Sequence, residues 1–198
     1  MPMPRLLAPV LMTVALTAHA TPVTYAIDPT HTFPSFEADH MGGVSVWRGK
    51  FNKTSGQVVW DRTTGQGTVD ITVDMNSVDY GLDIMNDKAR SPELFDTAKY
   101  PTAVYKGRIE ADAKGQPTKV TGALTLHGVT KEITLTGTFN GVSKDPWGNT
   151  RAGFTAEGKV NRKDFGMVWN KTLDTGGFVV GEEVNIRLDI ECIKAKKP

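Results

Sequence analysis

The sequence predicts an all-β protein of about eight antiparallel strands, stacked or closed into a barrel, with a short helical crossover near residues 80–95. Three observations predict it. Apolar and polar residues alternate with period two along most of the chain, turn-forming clusters separate the alternating runs, and one stretch breaks the alternation. Successive side chains on a strand point to opposite faces, so each run has a wet side and a dry side.

In chain order, Phe36–His40 and Gly56–Asp61 carry weaker forms of the pattern. Val69, Ile71, Val73 and Met75 then alternate strictly with Thr68, Asp70, Thr72 and Asp74. The break falls at Tyr80–Phe95, which reads as a helical or irregular crossover ending near Pro92. Thr102–Ala111 and Lys119–His127 resume the pattern. Ile133, Leu135, Gly137 and Phe139 form the next dry face, followed by Phe154, Ala156, Gly158 and Val160 within Arg151–Val160. The last run sets Val184, Ile186, Leu188, Ile190 and Cys192 against Glu183, Asn185, Arg187, Asp189 and Glu191. Turns are expected at Thr64–Gly67, Lys114–Pro117, Gly128-Val129 and Asp145–Gly148.

The N-terminus predicts export. One cation, Arg5, precedes the uncharged apolar run Leu6–Ala18, which closes on Ala18-His19-Ala20 with small residues placed for signal peptidase. The run is shorter than the roughly 20 residues a membrane-spanning helix needs. Residues 1–20 are therefore expected to be a cleaved signal peptide, and residues 21–198 a single mature domain in the periplasm. Losing Arg5 leaves equal numbers of basic and acidic residues, a balance that argues against nucleic acid as a partner. The single cysteine excludes an internal disulfide, and its place on the dry face of Ile186, Leu188 and Ile190 predicts a buried thiol.

Catalytic chemistry is hard to find. The chain has no Gly-x-Ser-x-Gly elbow, no phosphate-cradling glycine loop and no Cys-x-x-Cys. His31 and His40 stand nine residues apart, which puts them on opposite faces of a straight strand, so no metal site is expected. His40 reads as an inward polar group bonded to a neighbour or to a ligand head, and His127, beside Gly128, as a turn residue with a structural hydrogen bond. Trp47 and Trp169 fit either the rim of an apolar mouth or a plug in a barrel end.

Small residues recur on the dry faces: Gly122 beside Leu124 and Leu126, Gly137 beside Ile133 and Leu135, Ala156 beside Phe154, Ala38 between Phe36 and His40. An eight-stranded barrel is either filled by its own side chains or holds one small ligand. Inward glycine and alanine thin the lining and suit a cavity; they equally suit tight bends and the taper of a filled barrel.

The ordered set of motifs resembles the YceI-like family of bacterial periplasmic proteins. It runs from Tyr25–Pro29 through His31-Thr32, His40-Met41-Gly42, Arg90-Ser91 and Ala98–Pro101 to Gly122–Lys131, Asp145–Gly148, Lys163–Gly166 and the closing Val184–Glu191 strand. The resemblance implies an extended lipocalin-like barrel that carries a polyisoprenoid or an isoprenoid quinone as its ligand, with no other cofactor. It turns the open question of the inner face towards a cavity. The expected ligand contacts are then Phe36, Ala38, His40 and Trp47; Ile71 and Val73; Gly122, Leu124 and Leu126; Ile133, Leu135 and Gly137; Phe154 and Ala156; and Trp169, Ile186 and Leu188. The departure is Asn86-Asp87-Lys88-Ala89, where many relatives carry Asp-x-His-Leu.

Three function classes follow from these residues. A non-catalytic lipid carrier needs a dry tunnel and leads. An enzyme acting on an apolar substrate needs two converging polar groups, of which only His40 is in view. A filled structural or stress-related barrel needs no ligand. Transient membrane contact and homodimerisation are compatible with the first.

Overall fold

The computed structural model describes residues 21–195, so the export signal expected over residues 1–20 lies outside the described residues. The alternating runs become strands: β1 (Val23–Ile27), β2 (Ser35–His40), β3 (Ser45–Phe51), β4 (Thr54–Trp60), β5 (Gly67–Asp74), the short β6 (Val78–Asp79), β7 (Thr102–Ala111), β8 (Pro117–Leu126), β9 (Val129–Lys144), β10 (Thr150–Asn161) and β11 (Val180–Lys194). The expected crossover contains one helix, α1 (Asp83–Arg90), followed by turns to Pro101. All pairings are antiparallel, in the order β1-β4-β5-β7-β8-β9-β10-β11-β2-β3-β6, and β1 also pairs with β11. That extra pairing closes an eight-strand barrel.

The closure is uneven along the barrel. Cys192 and the residues after it pair with β1, whereas Val180 to Arg187 of the same strand pair with β2. β3 beyond it meets only the two residues of β6, through Lys50↔Asp79 and Phe51↔Val78. One end of the molecule is thus a continuous hydrogen-bonded ladder. At the other end the crossover of α1 and its flanking turns supplies part of the wall.

The laddered end is packed. Trp60, Phe139 and Phe154 meet with ring centroids 4.5, 5.4 and 5.5 Å apart, close enough for favourable tilted and edge contacts. Tyr25, Val58, Ala152 and Cys192 complete that core. Cys192 is fully buried, its Sγ bonds to the carbonyl of Ala152 at 3.3 Å, and burial pushes the thiol up to about 12. Outside this end Arg151 ties three segments together, bonding Asp28 (2.5 Å), Glu191 (2.5 Å) and Asp145 (2.9 Å). Asp145 also accepts the backbone N–H groups of Trp147 and Asn149, which fixes the β9–β10 turn.

The β8–β9 turn is His127-Gly128, both at positive φ, the geometry a two-residue hairpin requires. His127 holds that unfavourable conformation through a 2.9 Å bond to the carbonyl of Phe165 and contact with the Tyr100 ring. A carbonyl only accepts, so Nδ1 carries the proton. This is the structural bond the sequence led us to expect.

Candidate functional site

The other end of the barrel is hollow. A cavity of about 380 Å³ lies there, a volume ordinary for small-molecule sites. Its floor is Ile71, Tyr105, Leu135 and Leu188, which also border a second void of about 30 Å³, no larger than one water, in the packed end. One wall is aromatic: Phe36 packs against Phe51, Tyr80 and Phe95 at centroid distances of 5.4, 5.5 and 5.8 Å. Gly49 makes this possible, because a Cβ there would stand 2.6 Å from the Phe36 ring across the β2–β3 pair. At the mouth His40 stacks on Trp47 at 4.9 Å, and Trp47 meets Tyr80 edge-on at 5.8 Å. Trp169 forms the opposite lip, beneath the ammonium of Lys88 at 4.7 Å.

Polar groups are few and mostly satisfied. The Tyr105 hydroxyl donates to the carbonyl of Val120 at 2.8 Å, and burial pushes both Tyr105 and Tyr80 up to about 12, so both stay protonated. Arg162 is buried, with donated bonds to the carbonyls of Met167, Trp169 and Gly181 at 2.6–2.9 Å. These bonds pin the strap between β10 and β11 across the mouth. His40 lies 3.3 Å from the exposed Ser45 hydroxyl, and among the described residues no carboxylate orients its ring.

Of the residues expected to touch a ligand, Phe36, Ala38, His40, Trp47, Ile71, Val73, Leu124, Leu126, Ile133, Leu135, Trp169, Ile186 and Leu188 all line this cavity. Four lie elsewhere. Gly137, Phe154 and Ala156 border the 30 Å³ void of the packed end, the end that also holds the ring cluster of Trp60, Phe139 and Phe154. Gly122 lines neither space: it faces Gly107 across the β7–β8 pair, and a Cβ on it would stand 2.1 Å from the Lys106 carbonyl oxygen. It is a close-approach glycine. The sequence reading missed Tyr80, Met85, Leu94 and Phe95, which the crossover brings to the wall, and also Tyr105 and Arg162. The apolar residues of Tyr80–Phe95, spaced among charges at helix-like intervals, were the available signal.

His31 does not meet His40. Its Nδ1 sits 3.0 Å from Asp28, near Glu191, at the packed end. Arg151 already bridges both carboxylates there, which makes the group an ion-pair knot.

Fold and cavity together define a hollow antiparallel β-barrel with an apolar pocket open at one end. The chain belongs to the YceI-like domain family, which it matches over residues 25–192. It is 35% identical over 183 residues to Protein YceI of Salmonella arizonae, covering 91% of this chain and 92% of that one. It is 33% identical over 175 residues to a UPF0312 protein of Pseudomonas putida, covering 87% of each. Among solved structures, BcnA of Burkholderia cenocepacia superposes with a TM-score of 0.68 at 27% identity, over 83% of this chain and 98% of that one. A polyisoprenoid binding domain of Saccharophagus degradans, implicated in plant cell wall breakdown, superposes with a TM-score of 0.65 at 18% identity, over 87% and 99%. At that identity the likeness is one of fold.

Proposed function

We propose that this protein is a non-catalytic periplasmic carrier that holds the tail of a long apolar lipid, a polyisoprenoid or an isoprenoid quinone, inside the barrel. One observation carries the reading: the 380 Å³ cavity is walled almost wholly by aliphatic and aromatic side chains. Each buried methylene contributes about 0.8 kcal/mol, so part of a long tail suffices for firm binding. The polyisoprenoid-binding neighbour of the same fold supports the ligand class. The uncharged apolar run Leu6–Ala18, closing on Ala18-His19-Ala20 in the pattern of a cleavable signal, supports the compartment.

The rim supports delivery by contact with a bilayer. Exposed apolar side chains gather on segments that also line the mouth: Met41, Val44 and Val46 on the β2–β3 hairpin, Leu82 and Ile84 at the start of α1, Val168 and Phe178 on the strap. Val44 and Ile84 are 81% and 72% exposed, an arrangement that suits an apolar surface rather than water. An enzymatic reading would need a second polar group converging with His40, and Ser45 at 3.3 Å is exposed and outside the cavity lining.

Organic extraction of protein purified from the periplasm without detergent, followed by mass spectrometry, tests the reading. A bound lipid with isoprene-spaced fragments is expected. Protein that carries no lipid, and takes up none when exposed to farnesol after delipidation, contradicts it.

A further inference from the structure

The cavity is apolar except at its mouth, and there two cations converge on one residue. Arg162 donates from Nη1 to the carbonyl of Trp169 at 2.8 Å, while the Lys88 ammonium lies 4.7 Å above the Trp169 ring. Both side chains belong to the cavity lining. Arg162 is only 5% exposed, yet among the described residues no carboxylate pairs with it. The nearest influential acid, Glu182, is already bonded to Lys163. Backbone carbonyls surround the guanidinium instead, and these supply partial charges where a buried cation calls for a full one. Burial accordingly disfavours the charge on Arg162.

Its donors are also incompletely used. A guanidinium has five N–H groups. Nε and Nη1 make three bonds of 2.6–2.9 Å, whereas Nη2 has only the carbonyl of Val180 at 3.5 Å, beyond ordinary hydrogen-bond length. Lys88 is bonded to Glu93, but that carboxylate is half exposed and exchangeable. Glu93 and Glu182 lie outside the lining, whose acidic residue, Asp39, is exposed on β2.

We propose that the cavity selects an amphiphile with an anionic head, a phosphate or a carboxylate, held at the mouth between Lys88 and Arg162 while the tail occupies the barrel. The anion supplies the full charge that the carbonyls around Arg162 lack and takes up the idle Nη2 donors, and Lys88 gives up Glu93 to close on it. Guanidinium binds such oxyanions through paired N–H groups, ammonium as a point charge. The inference rests on the lipid-carrier reading and narrows it, because a neutral quinone or alcohol offers these cations a hydrogen-bond acceptor but no charge.

The test compares heads on one tail. Affinities of the delipidated protein for farnesyl phosphate and farnesol, and for palmitate and hexadecanol, are measured by displacement of a fluorescent apolar probe. The wild type is expected to bind each anion at least tenfold more tightly than its alcohol. Lys88→Met should shrink that preference several-fold, weakening the anions far more than the alcohols. Lys88→Arg, which keeps the charge, should restore it. Equal affinity for anion and alcohol in the wild type overturns the proposal and leaves the carrier reading standing, as does a preference that Lys88→Met leaves intact. Failure of all four compounds to bind overturns the carrier reading and this proposal with it.

Discussion

The two ends of the barrel are built from the same alternating strands and do opposite things. At the packed end β1, β4, β10 and β11 form an unbroken ladder, and inward small residues such as Gly137, Ala152 and Ala156 sit beside Trp60, Phe139 and Phe154. At the mouth β11 has exchanged β1 for β2, the ladder beyond β3 stops at two residues, and the crossover completes the wall. Large rings dominate the lining there, Phe36, Trp47, Phe51, Tyr80 and Phe95, with Ala38 and Ala103 among them. Space in this barrel comes from where the ladder lapses. Inward glycine and alanine do not by themselves mark space: Gly137 and Ala156 border the packed end, whereas Ala38 lines the cavity.

The contrast can be broken most forcefully at Trp60. Trp60→Ala removes the centre of the packed end and should cost about 3–5 kcal/mol in urea unfolding. Trp47→Ala at the mouth should cost far less stability but weaken lipid binding. Comparable destabilisation by both would erase the distinction between the ends. A smaller effect is expected from Ala156→Leu, which overpacks the packed end by about 1–3 kcal/mol without changing the amount of co-purified lipid. Loss of lipid without loss of stability would return Ala156 to the ligand site.

The ion-pair knot outside the packed end should show in acid. Burial alone would raise the Asp28 carboxyl, but hydrogen bonds from Thr30 and Arg151 outweigh it and hold it well below the usual range. Asn149, with Arg151, holds Asp145 down at about 2. Both titrate lower in the folded chain than the roughly 3.9 of an unfolded aspartate. Their stabilisation is therefore complete above about pH 4 and lost as the pH falls through 2. Thermal midpoints measured from pH 5 to 2 should fall steeply in the wild type. Arg151→Met should start lower at pH 5 and fall less, and an unchanged slope would show that the knot does not stabilise the fold.

The smallest effect runs the other way. Gly137 has ordinary backbone geometry, and a Cβ on it would meet nothing closer than 3.5 Å. Gly137→Ala should raise stability by about 0.4–1 kcal/mol, chiefly by restricting the unfolded chain. Destabilisation would mean that this end is already full.

Much of this architecture is legible in the residues. The alternation of Val69–Met75, Ile133–Phe139 and Val184–Cys192 gave the correct inward phase, and Cys192 followed from it into the core. The crossover was visible because Tyr80–Phe95 has the wrong period for a strand. β1 and β3 were not visible as strands. The first is five residues long, and Ser45–Phe51 carries Arg48, Gly49 and Lys50, which dilute its pattern. The site was legible in kind and misplaced in part for a physical reason. Period two tells which face a residue occupies, but its height along the barrel depends on register. Gly122 opposite Gly107, and Ala156 level with Gly137, are facts of pairing between distant strands.

One paired measurement tests the division of the barrel most directly: co-purified lipid and the thermal midpoint of delipidated protein, for wild type, Leu126→Trp and Ala156→Leu. Leu126 lines the cavity and Ala156 the packed end. Delipidated protein is required because bound ligand raises apparent stability. Leu126→Trp should lose the lipid and keep the wild-type midpoint, while Ala156→Leu keeps the lipid and melts lower. A wild type without lipid, or a Leu126→Trp variant that retains it in full, would contradict the account.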